Sequence, residues 1–358
     1  MFKLHLHSSE YTAADILNWN GEHKDPFFKN ILQVSKDWLS GATELIVQTS
    51  GSTGTPKQIS ISREQIIASA RKSLSFFELN PGDTVICPLS IDVIGGKMML
   101  YRSIIGDLQL HIIHPDRALK EMPAEVLFDF MPITALQLFD VLKHHTEKIV
   151  TLNKLRHLLI GGGTVSSELM HLIQTKLNCK VWQSYGMTET ISHIALRALH
   201  PIEETSYTIL NNIDIDTDER SCLKIKGDVT KQQWVQTNDI VDILDSKHFA
   251  FSGRADFVIN SGGIKIQVEP LERLIEQMLK RHNILNHFFI YGMPDQVYGE
   301  KVVLILDGAT LTNESKNHLL EELKKELPKH HAPKEIYTLP FVYTASGKIN
   351  RKETVKSV

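Results

Sequence analysis

Leu45-Ile46-Val47-Gln48-Thr49-Ser50-Gly51-Ser52-Thr53-Gly54-Thr55-Pro56-Lys57-Gln58-Ile59-Ser60-Ile61-Ser62 is the stretch whose reading decides the fold. An apolar run, 45–47, and an alternating run, 58–62, flank the nine-residue stretch 49–57, seven residues of glycine, serine and threonine followed by Pro-Lys. Glycine lets backbone N–H groups approach a polyphosphate closely, hydroxyls add donors, and a lysine supplies a point charge. Thr49, Ser50, Gly51, Ser52, Thr53, Gly54 and Lys57 are therefore candidate phosphate-holding residues. The pattern G-x-x-x-x-G-K-[ST] would need glycine at position 56, where Pro56 stands, and would open a helix, whereas 58–62 alternates like a strand. The competing reading is a plain Gly/Ser/Thr-rich turn between two strands.

Working outward, short apolar runs alternate with helical segments from Leu45 to Tyr185. Ser62-Arg63-Glu64-Gln65 reads as a capping box opening a helix that Asn80-Pro81-Gly82-Asp83 terminates. Strands are predicted at Val85–Cys87, Leu110–Ile113, Leu158–Ile160 and Val181-Trp182, and helices over 98–105, 134–142 and 167–177. This is a doubly wound α/β pattern, which binds ligands at the carboxyl ends of its strands. Gly161, Gly162, Gly163 and Tyr185-Gly186 fall at such ends. From Tyr207 to Phe251 the helical period disappears, predicting a small β-rich subdomain. After Arg254 an α+β pattern follows, with helices over 270–280 and 314–327. The predicted division is therefore 1–254 and 255–358.

A chain of 358 residues fits two unequal domains, and 42% hydrophobic with 23% charged residues describes an ordinary globular protein. With 39 Lys+Arg against 42 Asp+Glu, bulk charge gives no reason to expect nucleic acid or an anionic membrane as partner. Cys87, Cys179 and Cys222 are far apart and form no C-x-x-C pair, which suits a reducing compartment. Met1–His7 alternates like a strand rather than a signal peptide, and no run approaches the ~20 apolar residues of a membrane span, so a cytoplasmic location is expected. Among 17 histidines there is no H-E-x-x-H pattern; His111 and His114 are read as structural.

Four segments together carry a resemblance. Thr49–Lys57, Tyr185-Gly186-Met187-Thr188-Glu189-Thr190, Gly253-Arg254-Ala255-Asp256 leading to Ser261–Ile266, and Ser346-Gly347-Lys348-Ile349 are similar, in order, to the motifs of the adenylate-forming enzymes. That superfamily comprises acyl- and aryl-CoA ligases, nonribosomal peptide adenylation domains and luciferases. The resemblance implies a large N-terminal domain and a small mobile C-terminal one. It also implies ATP, Mg²⁺ and coenzyme A, with a small carboxylate as substrate.

By that resemblance the loop 49–57 would hold the β- and γ-phosphates, Tyr185 would stack on adenine beside Gly161–Gly163, and Thr188 would contact the α-phosphate. Glu189 would hold Mg²⁺, in keeping with a hard cation's preference for oxygen ligands. Asp239 would accept from the ribose hydroxyls. Asn238 stands where the family usually has glycine, and asparagine tolerates left-handed backbone better than most residues, so the turn is expected to survive. Arg254 would contact ribose or phosphate, Asp256 would be the hinge, and Lys348 would bridge the substrate carboxylate and the α-phosphate. Gly263 and Lys265 would face the site during thioester formation.

Within the family, Tyr185–Ala195 resembles the o-succinylbenzoate-CoA ligases, in a short form in which 48 residues precede Thr49. That places Arg102, Ser192 and His193 at the acid. A guanidinium can bind the second carboxylate of such an acid in two parallel bonds; the alternative for Arg102 is an ordinary helix-surface arginine. Another aryl or acyl acid, loading of a carrier thiol, or a non-catalytic nucleotide-binding role remain open on sequence.

Overall fold

The computed structural model describes residues 1–48, 58–161, 163, 165–308, 311–328, 330–343 and 349–358. A 13-stranded mixed sheet runs from residue 3 to residue 254. Its parallel half contains, side by side, Lys3–Leu6, Gln109–Ile112, Thr84–Cys87, Phe130–Thr134, His157–Gly161 and Lys180–Gly186. The central ones, Thr84–Cys87, Phe130–Thr134 and His157–Gly161, are buried at consecutive positions, as strands covered on both faces must be, whereas Lys3–Leu6 and Gln109–Ile112 nearer the edge alternate. Neighbouring residues point to opposite faces. Val85, Phe130 and Leu159 join one core with Ile31, Leu32 and Leu100, while Ile86, Met131 and Leu158 join another with Leu138, Val141 and Ile173. Helices thus cover both faces, which is the doubly wound α/β arrangement expected from the alternation.

Helix Arg63–Phe76 starts as the sequence indicates: Ser62 accepts from the Gln65 N–H, and the Gln65 side chain accepts from the Ser62 N–H at 3.0 Å. Thr134 and Gln137 repeat the device at helix Ala135–His144. Helix Ile94–Ile105 begins a turn ahead of the predicted position. Gly96 lies inside it because a Cβ there would fall 2.1 Å from the Ser90 carbonyl oxygen. Helix Pro26–Leu39, capped by Asp25, packs Phe28, Ile31 and Leu32 into the core and has no counterpart among the predicted elements.

After Lys180–Gly186 the sheet turns antiparallel. Six residues, 187–192, separate that strand from His193–His200, too few for a crossover and enough for a hairpin. Tyr207–Ile209, His248–Arg254, Val235–Ile243, Cys222–Gly227 and Ile213–Thr217 continue outward. The stretch 207–251 is β-rich as expected, but it extends the main sheet rather than forming one of its own. A second, five-stranded sheet contains Ile264–Gln267, Val258–Ser261, Gly299–Asp307 and Phe288–Asp295, with Glu335–Leu339 pairing parallel to Gly299–Asp307. Helices Val268–Arg281 and Asn313–Glu326 bury Leu271, Ile275, Leu319 and Leu323 against one face of it, over Val302, Leu304 and Leu306. The 3₁₀ turn Ala255–Phe257 links the two sheets.

His111 stacks on His5 with ring centroids 4.1 Å apart, and His114 pairs with Asp25 and Glu121. Among the described residues, no helix is long and apolar enough to cross a membrane.

Candidate active site

Strands Glu44–Gln48 and Gln58–Ser62 pair antiparallel, Leu45 opposite Ile61 and Val47 opposite Ile59. The residues after Lys57 therefore form a strand and not a helix, which is the feature that separated this loop from G-x-x-x-x-G-K-[ST]. Thr49, Ser50, Gly51, Ser52, Thr53, Gly54 and Lys57 themselves lie outside the described residues, as do Gly162 and Lys348.

Strand Lys180–Gly186 carries Tyr185 as its penultimate residue, whose ring packs edge-on against Tyr207 at 5.6 Å and Phe249 at 5.1 Å. The phenol donates to Asp239 Oδ2 at 2.6 Å. Asp239 and Arg254 are register partners on neighbouring strands, and the guanidinium donates to Asp239 Oδ1 at 2.9 Å. Arg254 also grips Asp256 through two bonds of 2.8 Å. Asp239, Arg254 and Asp256 thus form one chain of charge, with the arginine in the middle. Burial pushes the Tyr185 phenol well above its usual range, and the Asp239 charge adds to the effect. For Arg254 burial acts downward, but the Asp256 and Asp239 carboxylates outweigh it and hold the guanidinium firmly charged.

Asn238 sits within strand Val235–Ile243 and is not among the residues with positive φ. The turn expected at this point is a strand, so its backbone makes no demand for glycine.

Gly186 must be glycine. A Cβ on it would lie 2.3 Å from the Ser192 carbonyl oxygen and 2.6 Å from the His193 Cα. This close approach folds the 3₁₀ turn Thr188–Thr190 back onto the strand end. Thr190, fully buried, ties the turn together: its hydroxyl accepts from the Met187 N–H at 3.0 Å and lies within bonding distance of the Met187 and Ser192 carbonyls. Thr190 received no role from sequence, where its neighbours Thr188 and Glu189 carried the chemistry. Glu189 is half-buried and makes no hydrogen bond or ion pair among the described residues. A carboxylate unengaged among the described residues fits a hard divalent cation's preference for oxygen ligands. Gly161 abuts Ser184, with a built Cβ 3.3 Å from its hydroxyl, and Gly163 is exposed.

Behind this turn lies a buried polar group. His193 Nε2 is 2.9 Å from the Ser73 hydroxyl, and its Nδ1 is 3.2 Å from the Ser192 hydroxyl. Burial first, then the nearby Arg102 charge, lowers the imidazole to about 3, so it is neutral. Arg102 is 2% exposed, which removes the helix-surface reading. It donates to Met99 Sδ at 3.4 Å and sits 5.8 Å from the Phe130 ring, while its Nε has no partner. Burial lowers it to about 10, which leaves it charged at neutral pH.

Gly263 and Lys265 are exposed on the second sheet. Ser261 and Ile264 pair across a two-residue turn in which Gly262 and Gly263 have φ of 60° and 82°, the left-handed geometry that hairpin turns favour. The base of the 344–348 segment is also described. Tyr343 bridges Ile349, and the Asn350 N–H donates to the Val342 carbonyl at 2.7 Å. Arg351 then makes an ion pair of 2.9 Å with Glu272 and lies over the rings of Phe257 and Phe289. No role had been drawn for Arg351 or Glu272, which stand 79 residues apart in sequence.

The sequence matches the family described as AMP-binding enzyme over residues 8–219. A solved acyl-CoA synthetase (AMP-forming)/AMP-acid ligase II-like protein from Dyadobacter fermentans is 35% identical, with TM-score 0.65 and coverage of 97% of this chain and 98% of that one. The chain belongs to the AMP-binding enzyme family. As such it is an adenylate-forming ligase that uses ATP. A 2-succinylbenzoate–CoA ligase of Haemophilus influenzae is 23% identical over 85% of this AMP-binding enzyme and 68% of its own length. The Bacillus subtilis O-succinylbenzoate coenzyme A synthetase, solved with ATP and magnesium ion, shares the fold at 20% identity and TM-score 0.72, covering 86% of this chain and 69% of that one.

Proposed function

We propose that this AMP-binding enzyme joins a dicarboxylic acid of the o-succinylbenzoate type to coenzyme A, through an acyl-AMP. In the first step a carboxylate oxygen forms a bond to the α-phosphorus of ATP while the bond to the bridging oxygen breaks and pyrophosphate leaves. In the second, the coenzyme A sulfur attacks the acyl carbon, AMP leaves and the thiol proton passes to solvent. Positioning and charge stabilisation dominate such a transfer.

The observation that carries the reading is Arg102. A buried guanidinium with an unpartnered Nε and no carboxylate partner among the described residues is costly to fold around. A second carboxylate on the substrate supplies the missing counter-charge, while the Ser192 hydroxyl, positioned by neutral His193, offers a hydrogen bond without adding competing charge. The 2-succinylbenzoate–CoA ligases among the relatives act on an acid with two such groups, which supports the choice.

Asp239 takes the ribose hydroxyls in this reading, exchanging the Tyr185 phenol and one arm of Arg254 for them. Glu189 would hold Mg²⁺, which neutralises charge on the phosphate oxygens when bound. Lys348 would carry the charge between carboxylate and α-phosphate, with residues 255–358 as a mobile domain turning about Asp256 to bring Gly263 and Lys265 to the second step. The test is pyrophosphate release from ATP across a panel of carboxylic acids. Release with o-succinylbenzoate above its monocarboxylate analogues supports the reading; a preference for monocarboxylates overturns the substrate, and production of ADP overturns the reaction.

A further inference from the structure

Away from the nucleotide and acid sites, three donors converge on the second sheet's helical layer. His318 and Glu322 stand four residues apart on helix Asn313–Glu326, and therefore on one face of it. His282 is the residue that ends helix Val268–Arg281. The Glu322 carboxylate lies between the two imidazoles. One of its oxygens meets His282 Nε2 and the other is 4.0 Å from His318 Nε2. The imidazole rings are 6.1 Å apart and steeply inclined at 73°, so they converge on the carboxylate rather than stack.

We propose that His282, His318 and Glu322 form a site for a divalent transition-metal ion, with zinc as the ion of best-matched chemistry. One ligand atom from each lies within 4.8 Å of the other two. Donors held about 2.0–2.1 Å from a tetrahedral ion stand roughly 3.3 Å from one another, a distance reached here by small rotations of exposed side chains. Two imidazoles and one carboxylate are the donors zinc takes, whereas Mg²⁺ and Ca²⁺ ask for oxygen. The outward side is open: the His318 side chain is 69% exposed, which leaves the fourth position to water.

The protein already holds these two helix ends together. Arg281 next to His282, and Glu326 one turn beyond Glu322, form a two-pronged ion pair with bonds of 3.0 and 2.7 Å. That pair fixes the span the metal would bridge and offsets the charge of Arg281. An ion here would staple the ends of the two helices that cover the second sheet.

The experiment is zinc titration of the untagged full chain in metal-free buffer without ATP, followed by calorimetry. The expected result is saturable uptake of one Zn²⁺ per chain that millimolar Mg²⁺ does not displace. His282→Ala, His318→Ala and Glu322→Gln should each weaken uptake by at least about tenfold, the usual scale for disturbing a metal site. His171→Ala, on an exposed helix of the first sheet's cover, should leave it unchanged. Absence of uptake by the wild-type chain overturns the site. So does uptake that survives His282→Ala or His318→Ala, because the donors must come from both helices.

Discussion

The Tyr185 phenol donates a hydrogen bond to Asp239 Oδ2 at 2.6 Å, while its ring packs against Tyr207 and Phe249. Asp239 is simultaneously bound by Arg254, so both of its oxygens are engaged. With Asp239 as the proposed ribose acceptor, ATP would replace bonds that exist, and the affinity measured for it would be a difference between two arrangements.

Asp239→Ala should raise the KM for ATP about 10- to 100-fold, since hydrogen bonds to a charged acceptor contribute ~1.5–3 kcal/mol. Tyr185→Phe removes the competing donor but keeps the ring, and should change the KM for ATP less than Asp239→Ala does. Steady-state kinetics at saturating acid checks both. Equal losses in the two variants would mean that the phenol itself contacts the nucleotide.

Arg351 and Glu272 hold the base of the segment that carries Lys348. Lys348→Ala is expected to lower acyl-AMP formation by roughly 10²–10³, the scale of one lost preorganised charge stabiliser, and to spare thioester formation from preformed acyl-AMP. Arg351→Ala should show the same split at smaller size, and the double variant should fall little below Lys348→Ala alone. Pyrophosphate exchange and single-turnover thioester assays read the two steps separately. Multiplicative losses would show that Arg351 acts on something other than Lys348.

Arg102→Ala should weaken binding of a dicarboxylic substrate roughly 10- to 100-fold while leaving the KM for ATP nearly unchanged. Arg102→Lys should recover part of the loss, because an ammonium does not make two parallel bonds. A monocarboxylate analogue should be indifferent to either change. Because the position is buried, thermal melts of the variants accompany the kinetics, and a KM effect shared by every acid would remove Arg102 from substrate recognition.

Acid should destabilise the protein in a defined window. Burial lowers His111 and His157 to about 4 and His193 to about 3, all below the 6.5 of an unperturbed imidazole. Between pH 6.5 and those values the unfolded chain binds more protons than the folded one, so stability falls as pH falls. It should be insensitive to these groups above pH 7. Denaturant melts from pH 8 to 4 test this. His157→Gln, which can still accept from Trp182 Nε1, should show a shallower decline, and a slope unchanged from wild type would exclude His157 as a contributor.

Much of the site was legible because its signals are local. The strand–loop–strand pattern around Thr49–Lys57 needed only alternation and turn chemistry, and the structure places strands on both sides of it. Tyr185, Asp239 and Arg254 were each chosen within a short motif, and hydrogen bonds now join them. The burial of Arg102 was illegible for a physical reason. Its helix is buried from Met98 through Ser103, so no polar face distinguishes a core arginine from a surface one. The merging of 207–251 into the main sheet depends on pairings between distant segments, such as Tyr207 with Phe249, which no window of sequence contains. The Arg351–Glu272 pair and the keystone role of Thr190 were hidden likewise, by separation in one case and by the louder chemistry of neighbouring residues in the other.

The tight seat of Gly186 against Ser192 and His193 means that the two strands of one short hairpin move as a unit. On the proposed function its outgoing strand would present Tyr185 to the nucleotide, and its returning strand His193 to the acid. Exchanging one half for that of a relative with a different substrate would misalign the other. Retailoring this protein for a new acid therefore calls for transplanting the whole segment from Tyr185 to His193, with Ser73 and Arg102 chosen to match.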